Sequence, residues 1–284
     1  MARALELAAR GLWTTDPNPR VGCVIAHGER VIAEGWHERA GGPHAEAMAL
    51  AAADGPLRDA TAYVTLEPCC HYGRTPPCAD ALIAAGIRRV HYSVRDPNPR
   101  VSGGGVAKLE AAGIEVCGGL LAEEARALNP GFLARMEHGR PWLRLVTAKH
   151  PDPQSLRARS SAVLTSSTMI RVVDPRLDVQ LPGALRQPLR VVLDTRLSLA
   201  PTARIFAPPG RALVLTACTD ALRRGALERA GAEVMQVPAS AQGLDLPAIL
   251  RRLAELEINE LQVECGTTLA ESFARAGFVD ERAG

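Results

Sequence analysis

The sequence has few aromatic residues, no long apolar run and almost no net charge. Phenylalanine, tyrosine and tryptophan make up 4% of its 284 residues, so few side chains are available for stacking against single-stranded nucleic acid. The formal net charge is +2, which implies no strong attraction to nucleic acid or to an anionic membrane. No apolar run approaches the roughly 20 residues of a membrane span. We therefore expect neither a nucleic-acid partner nor a membrane partner.

An export signal and a disulfide framework are also missing from the pattern. The N-terminal stretch MARALELAARGL carries Arg3, Glu6 and Arg10 inside its apolar pattern, whereas a signal peptide needs an uninterrupted apolar core. The seven cysteines are odd in number and unevenly spaced. Clustered cysteines in a reducing compartment are more often metal ligands than disulfide partners. These features predict a cytoplasmic protein with a metal site.

The chain reads as two α/β halves. In the first half helices alternate with short apolar strands, and Gly139 and Pro141 break a helix predicted over 120–137. The predicted domains are therefore 1–140 and 141–284. Strands are predicted in the second half at WLRLVT, SAVLT, LRVVLD, ALVLTA, AEVMQV and ELQVE. Each half is expected to place helices around a central sheet.

Two stretches of the first half carry metal-binding residue types. His44 and Glu46 follow Gly-Gly-Pro at the start of a predicted helix, Cys69 follows a predicted strand, and Cys78 opens the next helix. One histidine and two cysteines leave a fourth tetrahedral position for water, which is typical of a catalytic zinc site. Zinc lowers the pKa of that water, and Glu46 is the carboxylate that could carry its proton. Cys70 is a rival to Cys69 as a ligand.

These motifs resemble a known superfamily. His44-Ala45-Glu46 and Pro68-Cys69 are similar to the signature of the zinc-dependent cytidine deaminases, although the second cysteine comes at Cys78 instead of two residues after the first. The long form PCCHYGRTPPC, with TDPNPRVGCVI and RDPNPRVSGGG, resembles the deaminase domain of the bifunctional riboflavin-biosynthesis deaminase/reductases. The resemblance covers nearly all of 1–140. It implies a cytidine-deaminase-like three-layer α/β/α domain in which Cys69, directly after the proline, binds zinc.

The resemblance also implies a reaction and a set of contacts. The reaction is the hydrolytic deamination of diaminohydroxyphosphoribosylaminopyrimidine, a small phosphoribosyl pyrimidine, with Glu46 protonating the departing ammonia. The implied substrate contacts are Asn18, His37, His71, Arg74, Asp96 and Asn98. Asp96 and Asn98 follow a predicted strand, where α/β proteins place ligand contacts. Asn and Asp also stabilise turns, so a purely local role is the alternative for each of them.

The second half resembles the reductase domain of the same family, which has a dihydrofolate-reductase-like α/β fold and uses NADPH. The resemblance is carried by RPWLRL, LRARSSAVLT, DPRLDV, QPLRVVLDTRL and VECGTTLAESFARAGFVDE. It implies cofactor contacts at Thr168, Glu264 and Gly266.

This half departs from the family pattern in several places. A family segment after the first strand is missing, Val146 stands where the family has lysine, and Cys265 stands where it has glycine. The chain also ends where the family continues with further strands. We therefore expect an incomplete sheet, poor pairing of the strand after the missing crossover, and a reductase activity that is lost or weak.

Several alternatives stay open from the sequence. The second domain could be a remnant that stabilises or oligomerises the deaminase, a weak reductase, or a nucleotide-binding domain without chemistry. The whole chain could be fully bifunctional. It could also be a tRNA or nucleoside deaminase, against which the long cysteine loop and the low net charge argue, or a non-catalytic scaffold that uses zinc only for folding. A homo-oligomer is compatible with the resemblance.

Overall fold

The computed structural model describes residues 1–71, 76–99, 101–147, 150–207, 209–241 and 243–284. The chain divides into two compact units, Met1–Glu137 and His138–Gly284. The boundary predicted after residue 140 falls just beyond this division. Across the described ranges, every helix is too short or too polar to cross a membrane.

Unit 1 is built on a five-stranded sheet. Its elements in chain order are α1 (Ala2–Ala9), β1 (Gly22–His27), β2 (Arg30–Trp36), α2 (Ala45–Ala51), β3 (Thr61–Leu66), α3 (Cys78–Ala84), β4 (Arg89–Val94), α4 (Gly104–Ala111), β5 (Glu115–Gly118), α5 (Ala122–Leu128) and α6 (Pro130–His138). The strand order is β2-β1-β3-β4-β5. β1 runs antiparallel to β2 and β3, whereas β3, β4 and β5 are parallel. The carboxyl ends of β3 and β4 therefore meet at one edge of the sheet.

Helices cover both faces of this sheet because successive strand residues point to opposite sides. Cys23 and Ile25 of β1 belong to a buried cluster with Ala49 of α2. Val24, between them, packs with Leu7 of α1 on the other side. The result is a three-layer α/β/α unit, which confirms the predicted fold.

The helix predicted over 120–137 is wrong as a single element. The structure has two helices, α5 and α6, separated by Asn129. A residue before proline avoids the helical region because the proline ring clashes with its backbone, and Asn129 accordingly has φ −124° and ψ 39°. Its side chain accepts the backbone N–H of Arg20 at 2.8 Å and donates to the Arg20 carbonyl at 2.9 Å. The residue at the break between α5 and α6 thus links this part of the chain to the segment that precedes β1.

Unit 2 contains a seven-stranded parallel sheet and a short hairpin. Its elements are β6 (Trp142–Val146), α7 (Pro153–Arg159), β7 (Ala162–Ser166), α8 (Ser167–Val173), β8 (Leu189–Leu193), β9 (Ala212–Thr216), α9 (Ala221–Arg229), β10 (Ala232–Gln236), β11 (Ala239–Ser240), β12 (Gly243–Leu244), α10 (Leu246–Glu255), β13 (Glu260–Val263), α11 (Thr267–Arg275) and β14 (Glu281–Ala283). The sheet order is β10-β9-β8-β7-β13-β6-β14, and all of its pairings are parallel. Helices α10 and α11 pack on one face and α8 and α9 on the other.

The expectation that β7 would pair poorly is wrong. β7 pairs with β13 on one side and β8 on the other, and β13 lies between β6 and β7. The connection from β6 to β7 contains α7, whose first turn is capped by Asp152 accepting the Ser155 N–H at 3.0 Å. A short capped helix therefore suffices to carry the chain between two strands that are not neighbours.

A buried ion pair crosses the sheet of unit 2 and provides a stability test. Arg144 is fully buried, and its Nη2 lies 3.1 Å from Glu260 Oε2. Arg159 Nε lies 3.2 Å from the same oxygen. Glu260→Ala is expected to lower the free energy of unfolding by about 3 kcal/mol, the low end for breaking a buried pair. It removes the buried carboxylate that Arg144 and Arg159 share, and Arg144 is left with its bond to Glu281, a partly exposed side chain whose Oε2 lies 2.9 Å from Arg144 Nε.

The matched control for this test is Glu233→Ala. Glu233 pairs with Arg211 at 2.7 Å, but both side chains are about half exposed or more, so the loss should stay below about 1 kcal/mol. Urea unfolding followed by circular dichroism measures both variants. Equal losses would contradict a special role for the buried pair.

Candidate active sites

Three elements of unit 1 bring a histidine and two cysteines together. His44 is the N-cap residue of α2, Cys69 follows β3, and Cys78 is the first residue of α3. The loop between the two cysteines is closed by backbone bonds, since the Cys78 N–H donates to Cys69 Sγ at 3.3 Å and the Ala79 N–H donates to the Cys69 carbonyl at 3.1 Å. The sequence-predicted ligands therefore converge on one point.

The spacing of these three side chains fits a tetrahedral zinc ion. His44 Nδ1 lies 3.5 Å from Cys69 Sγ and 3.3 Å from Cys78 Sγ, and all three ligand atoms lie within 4.8 Å of one another. Bonds of about 2.3 Å to sulfur and about 2.0–2.1 Å to nitrogen, at tetrahedral angles, place the two ligand atoms about 3.5 Å apart. The residues present therefore suit zinc with one coordination position left open.

The proton balance of the cluster favours a thiolate. The hydrogen bond from the Cys78 thiol lowers the pKa of Cys69 well below its usual value, and the hydrogen bond to His44 acts in the same direction. The same thiol–thiol bond raises the pKa of Cys78. A thiolate is the form that binds metal, so these contacts favour the metal-binding form of Cys69.

Glu46 is the buried carboxyl group of this centre. It lies in the first turn of α2 and is 3% exposed. Burial raises its pKa, while the charge of His44 acts in the opposite direction. A carboxyl group that holds a proton closer to neutral pH can both accept and return one.

Asn18 and His37 form a hydrogen-bonded pair beside His44. His37 Nδ1 lies 2.8 Å from the Pro43 carbonyl, and His37 Nε2 lies 3.0 Å from Asn18 Nδ2. The carbonyl can only accept, so Nδ1 carries the proton and Nε2 accepts from the Asn18 amide. Burial lowers the pKa of His37, in keeping with a neutral ring. The orientation of the Asn18 amide follows from this arrangement.

The other predicted substrate contacts fall on two loops. Asp96 is buried directly after β4, where burial raises its pKa to about 6, and its charge interacts with those of Cys69 and His71. The Asn98 N–H donates to Asp96 Oδ1 at 2.8 Å. His71 is exposed, and Arg74 lies outside the described residues. The structure thus brings Asp96 into electrostatic range of His71 and of the predicted zinc ligands Cys69 and His44.

Unit 2 contains a cavity of about 910 Å³ at the carboxyl edge of its sheet. Its wall includes residues at or beyond the carboxyl ends of three strands, namely Ser166 at the end of β7, Thr195 after β8 and Gly266 after β13. The first turns of α8 and α11 contribute Thr168 and Thr267. Parallel α/β sheets bind ligands at this edge, where helix N-termini present free N–H groups. Two of the three predicted cofactor contacts, Thr168 and Gly266, line the cavity.

Comparisons with known proteins match both halves of the chain. The family model "Cytidine and deoxycytidylate deaminase zinc-binding region" matches residues 1–94, and "RibD C-terminal domain" matches residues 131–283. The riboflavin biosynthesis protein RibD of Escherichia coli is 42% identical over 99% of this chain and 84% of its own length. The chain belongs to the RibD family.

Solved structures of RibD proteins agree with this assignment. RibD of Acinetobacter baumannii matches with a TM-score of 0.90 and 38% identity, over 99% of this chain and 83% of that one. A diaminohydroxyphosphoribosylaminopyrimidine deaminase/5-amino-6-(5-phosphoribosylamino)uracil reductase from Thermotoga maritima matches with a TM-score of 0.83 and 35% identity, over 97% and 82%. The chain is thus a riboflavin-biosynthesis enzyme with a zinc-binding deaminase domain and a RibD-type reductase domain.

The RibD comparisons give no support to the predicted loss of the reductase, because the match covers nearly the whole chain. The alignment with the E. coli protein extends over 314 positions, more than the 284 residues present here. This chain therefore lacks residues that lie inside the aligned region of that relative, while the sheet of unit 2 still forms.

Two details of unit 2 differ from what the sequence suggested. Cys265 does not line the cavity but packs against the main core of the unit, where burial raises its pKa to about 12, so its side chain does not block the cavity beside Gly266. Glu264, predicted as a cofactor contact, is not part of the cavity lining. Its carboxylate instead accepts two hydrogen bonds of 2.6 Å from Arg157 and one of 2.8 Å from Gln262.

Two residues of the sites escaped the sequence reasoning. Arg157 orients Glu264 from α7, a distant element of the chain. Glu67, directly before Pro68-Cys69, is a buried carboxylate that accepts three backbone N–H groups. The available sequence signal for Glu67 was a charged residue directly after a buried strand.

Proposed function

We propose that unit 1 deaminates diaminohydroxyphosphoribosylaminopyrimidine by hydrolysis and that unit 2 reduces the ribose of the resulting aminophosphoribosylaminouracil with NADPH. The observation that carries the first step is the convergence of His44, Cys69 and Cys78 beside the buried carboxyl group of Glu46. The name of the Thermotoga maritima relative describes the same pair of activities. The second step is supported by the cavity in unit 2.

His44, Cys69 and Cys78 would hold the zinc in the first step. Zinc bound there would lower the pKa of a water molecule and make a nucleophile available near neutral pH. Glu46 takes up the proton of that water and delivers it to the amino group that leaves as ammonia. Its burial serves this role, because a carboxyl with a raised pKa holds the proton between the two transfers.

The other site residues predicted in unit 1 bind and orient the pyrimidine. We assign substrate contacts to Asn18, His37, His71, Arg74, Asp96 and Asn98. The fixed tautomer of His37 directs the Asn18 amide, so its Oδ1 offers an acceptor of constant orientation to the ring. Asp96 and Asn98 offer further polar groups from the carboxyl end of β4.

Unit 2 binds NADPH in this proposal, and the bound cofactor supplies the hydride. Thr168 and Gly266 contact it from the first turn of α8 and the N-cap of α11. A Cβ at Gly266 would meet only Met169 Sδ at 3.8 Å, so the approach to this backbone is open. Glu264 is assigned to the same site: it lies two residues before Gly266, and the bonds of its carboxylate to Arg157 and Gln262 fix the segment that leads to Gly266.

Placing a negative charge in the cavity tests the cofactor site. Thr168→Glu is expected to raise the dissociation constant of NADPH by about tenfold or more, because the new carboxylate would face the cofactor's phosphates. Titration of NADPH fluorescence measures this. Thr219→Glu is the control, since Thr219 is exposed and lies outside the cavity lining. Equal affinities for the two variants would contradict the assignment of the cavity.

The central experiment is to incubate the zinc-loaded chain with the diamino pyrimidine phosphate, with and without NADPH, and to identify products by mass spectrometry. Deaminated product that becomes reduced only when NADPH is added would support both steps. Deaminated product alone would restrict the function to unit 1 and revive the loss of the reductase. Absence of product from protein with bound zinc would favour the scaffold alternative.

A further inference from the structure

Glu67 is a buried carboxylate that the proposed chemistry does not use. It follows the last residue of β3, lies two positions before the ligand Cys69, and is 3% exposed. Leaving such a group buried without hydrogen bonds would cost stability. Its two oxygens are instead occupied by backbone N–H groups.

Within the part of the chain that the structure describes, the donors to the Glu67 carboxylate come from one segment after β4. Oε2 accepts the N–H of Asp96 at 3.3 Å and of Gly103 at 3.1 Å, and Oε1 accepts the N–H of Val106 at 3.3 Å. We call residues 96–99 and 101–106 the Asp96 arm. A single side chain thus anchors both ends of the arm to the loop that carries a zinc ligand.

Three consecutive glycines permit this close approach. A Cβ at Gly105 would lie 1.9 Å from the Pro68 carbonyl oxygen, and one at Gly104 would lie 2.6 Å from Cys70 Sγ. Gly103 has φ +77°, a conformation that favours glycine. Any side chain at Gly105 would push the start of α4 away from the metal-ligand loop. The run Gly103–Gly105 in the sequence therefore has a packing reason.

The Asp96 arm also contains hydrogen bonds of its own. The Asn98 N–H donates to Asp96 Oδ1 at 2.8 Å, and the Val101 N–H donates to the Asn98 carbonyl at 2.8 Å. The turn that presents Asp96 and Asn98 is therefore held at one end by Glu67 through the Asp96 N–H and at the other end through Gly103.

We propose that Glu67 is a positioning residue for the deamination: it anchors the Asp96 arm to the metal-ligand loop and so sets the distance between the substrate-binding side chains and the metal centre. The proposal rests on the proposed function of unit 1. Glu67 is not one of the three candidate metal ligands, and it is not among the substrate contacts assigned above.

Glu67→Gln is the sharpest test because it changes almost no volume. Glutamine has one acceptor oxygen, and its NH₂ group would point a donor at one of the backbone N–H donors. The arm should lose an anchor on that side, and KM for the pyrimidine should rise by about tenfold or more. We expect kcat to change less than KM and one zinc ion per chain to remain bound.

The control is Glu115→Gln in the same unit. Glu115 is an exposed residue of β5 that pairs with Arg89 at 2.7 Å, and its removal should leave KM unchanged. Glu67→Asp serves if the glutamine variant does not fold, because it keeps the charge but shortens the reach to the backbone N–H groups. Its KM should exceed that of the wild type. In that variant the amides of Asp96, Gly103 and Val106 should exchange with solvent faster than in the wild type, as measured by NMR.

Two results would overturn the proposal. One is a Glu67→Gln enzyme whose KM and kcat equal those of an active wild type. The other is a variant that binds zinc more weakly but whose KM, measured with zinc added in excess, equals that of the wild type, since Glu67 would then support the ligand loop alone. A wild-type protein that deaminates nothing would instead overturn the proposed function, and this inference with it.

Discussion

Replacing Glu46 by glutamine is expected to lower the deamination rate by about 10²- to 10⁴-fold while zinc stays bound, which is the range that a general acid–base group contributes. Glutamine keeps the shape of the side chain but cannot carry the proton from the water to the departing amino group. His44, Cys69 and Cys78 are untouched, so the metal should bind as before. Initial rates of ammonia release and the zinc content per chain measure the two quantities.

A comparison with Glu110→Gln isolates this effect. Glu110 is an exposed residue of α4 in the same unit, and its variant should deaminate at the wild-type rate. A Glu46→Gln protein that keeps both its zinc and its full activity would show that Glu46 is not the proton carrier. A loss of zinc in this variant would show a ligand or folding role instead.

Replacing Cys69 by serine is expected to abolish zinc binding at the concentrations of the assay, and with it deamination. Replacing a residue that only supports a metal ligand already lowers the metal affinity by about 10- to 100-fold. Loss of a ligand itself should therefore lower the zinc affinity further. The hydrogen bonds that favour the Cys69 thiolate would then hold a hydroxyl group. Zinc release to a chromogenic chelator gives the affinity.

The neighbouring cysteine provides the matched control. Cys70 Sγ lies 3.8 Å from the Val101 carbonyl and faces Gly104 at the start of α4, away from the three-residue cluster. Cys70→Ser should therefore retain zinc and activity. If Cys70→Ser released zinc and Cys69→Ser retained it, the ligand assignment taken from the family pattern would be wrong.

Much of the metal centre was readable from the sequence because its residues sit at the ends of local elements. His44 and Glu46 belong to one helix start, Cys69 follows a strand, and Cys78 opens a helix, so residue type and spacing alone indicated zinc. The six strands predicted for the second half are all present in unit 2. Their apolar runs are short and bounded by turn residues, which is a local signal. The roles assigned to the individual site residues stay predictions.

Tertiary structure decided what depends on residues far apart in the chain. Glu67 reads as an ordinary charged residue until the fold brings the N–H groups of Asp96, Gly103 and Val106 to it. The missing crossover suggested a defective sheet, yet β13 enters between β6 and β7, and no local pattern specifies such an order. The sequence by itself thus determined the chemistry of the metal ligands and the existence of the strands, since both are encoded within a few neighbouring residues. The order of the strands and the anchoring of the Asp96 arm came only from the folded chain, because each rests on pairings across long sequence separations.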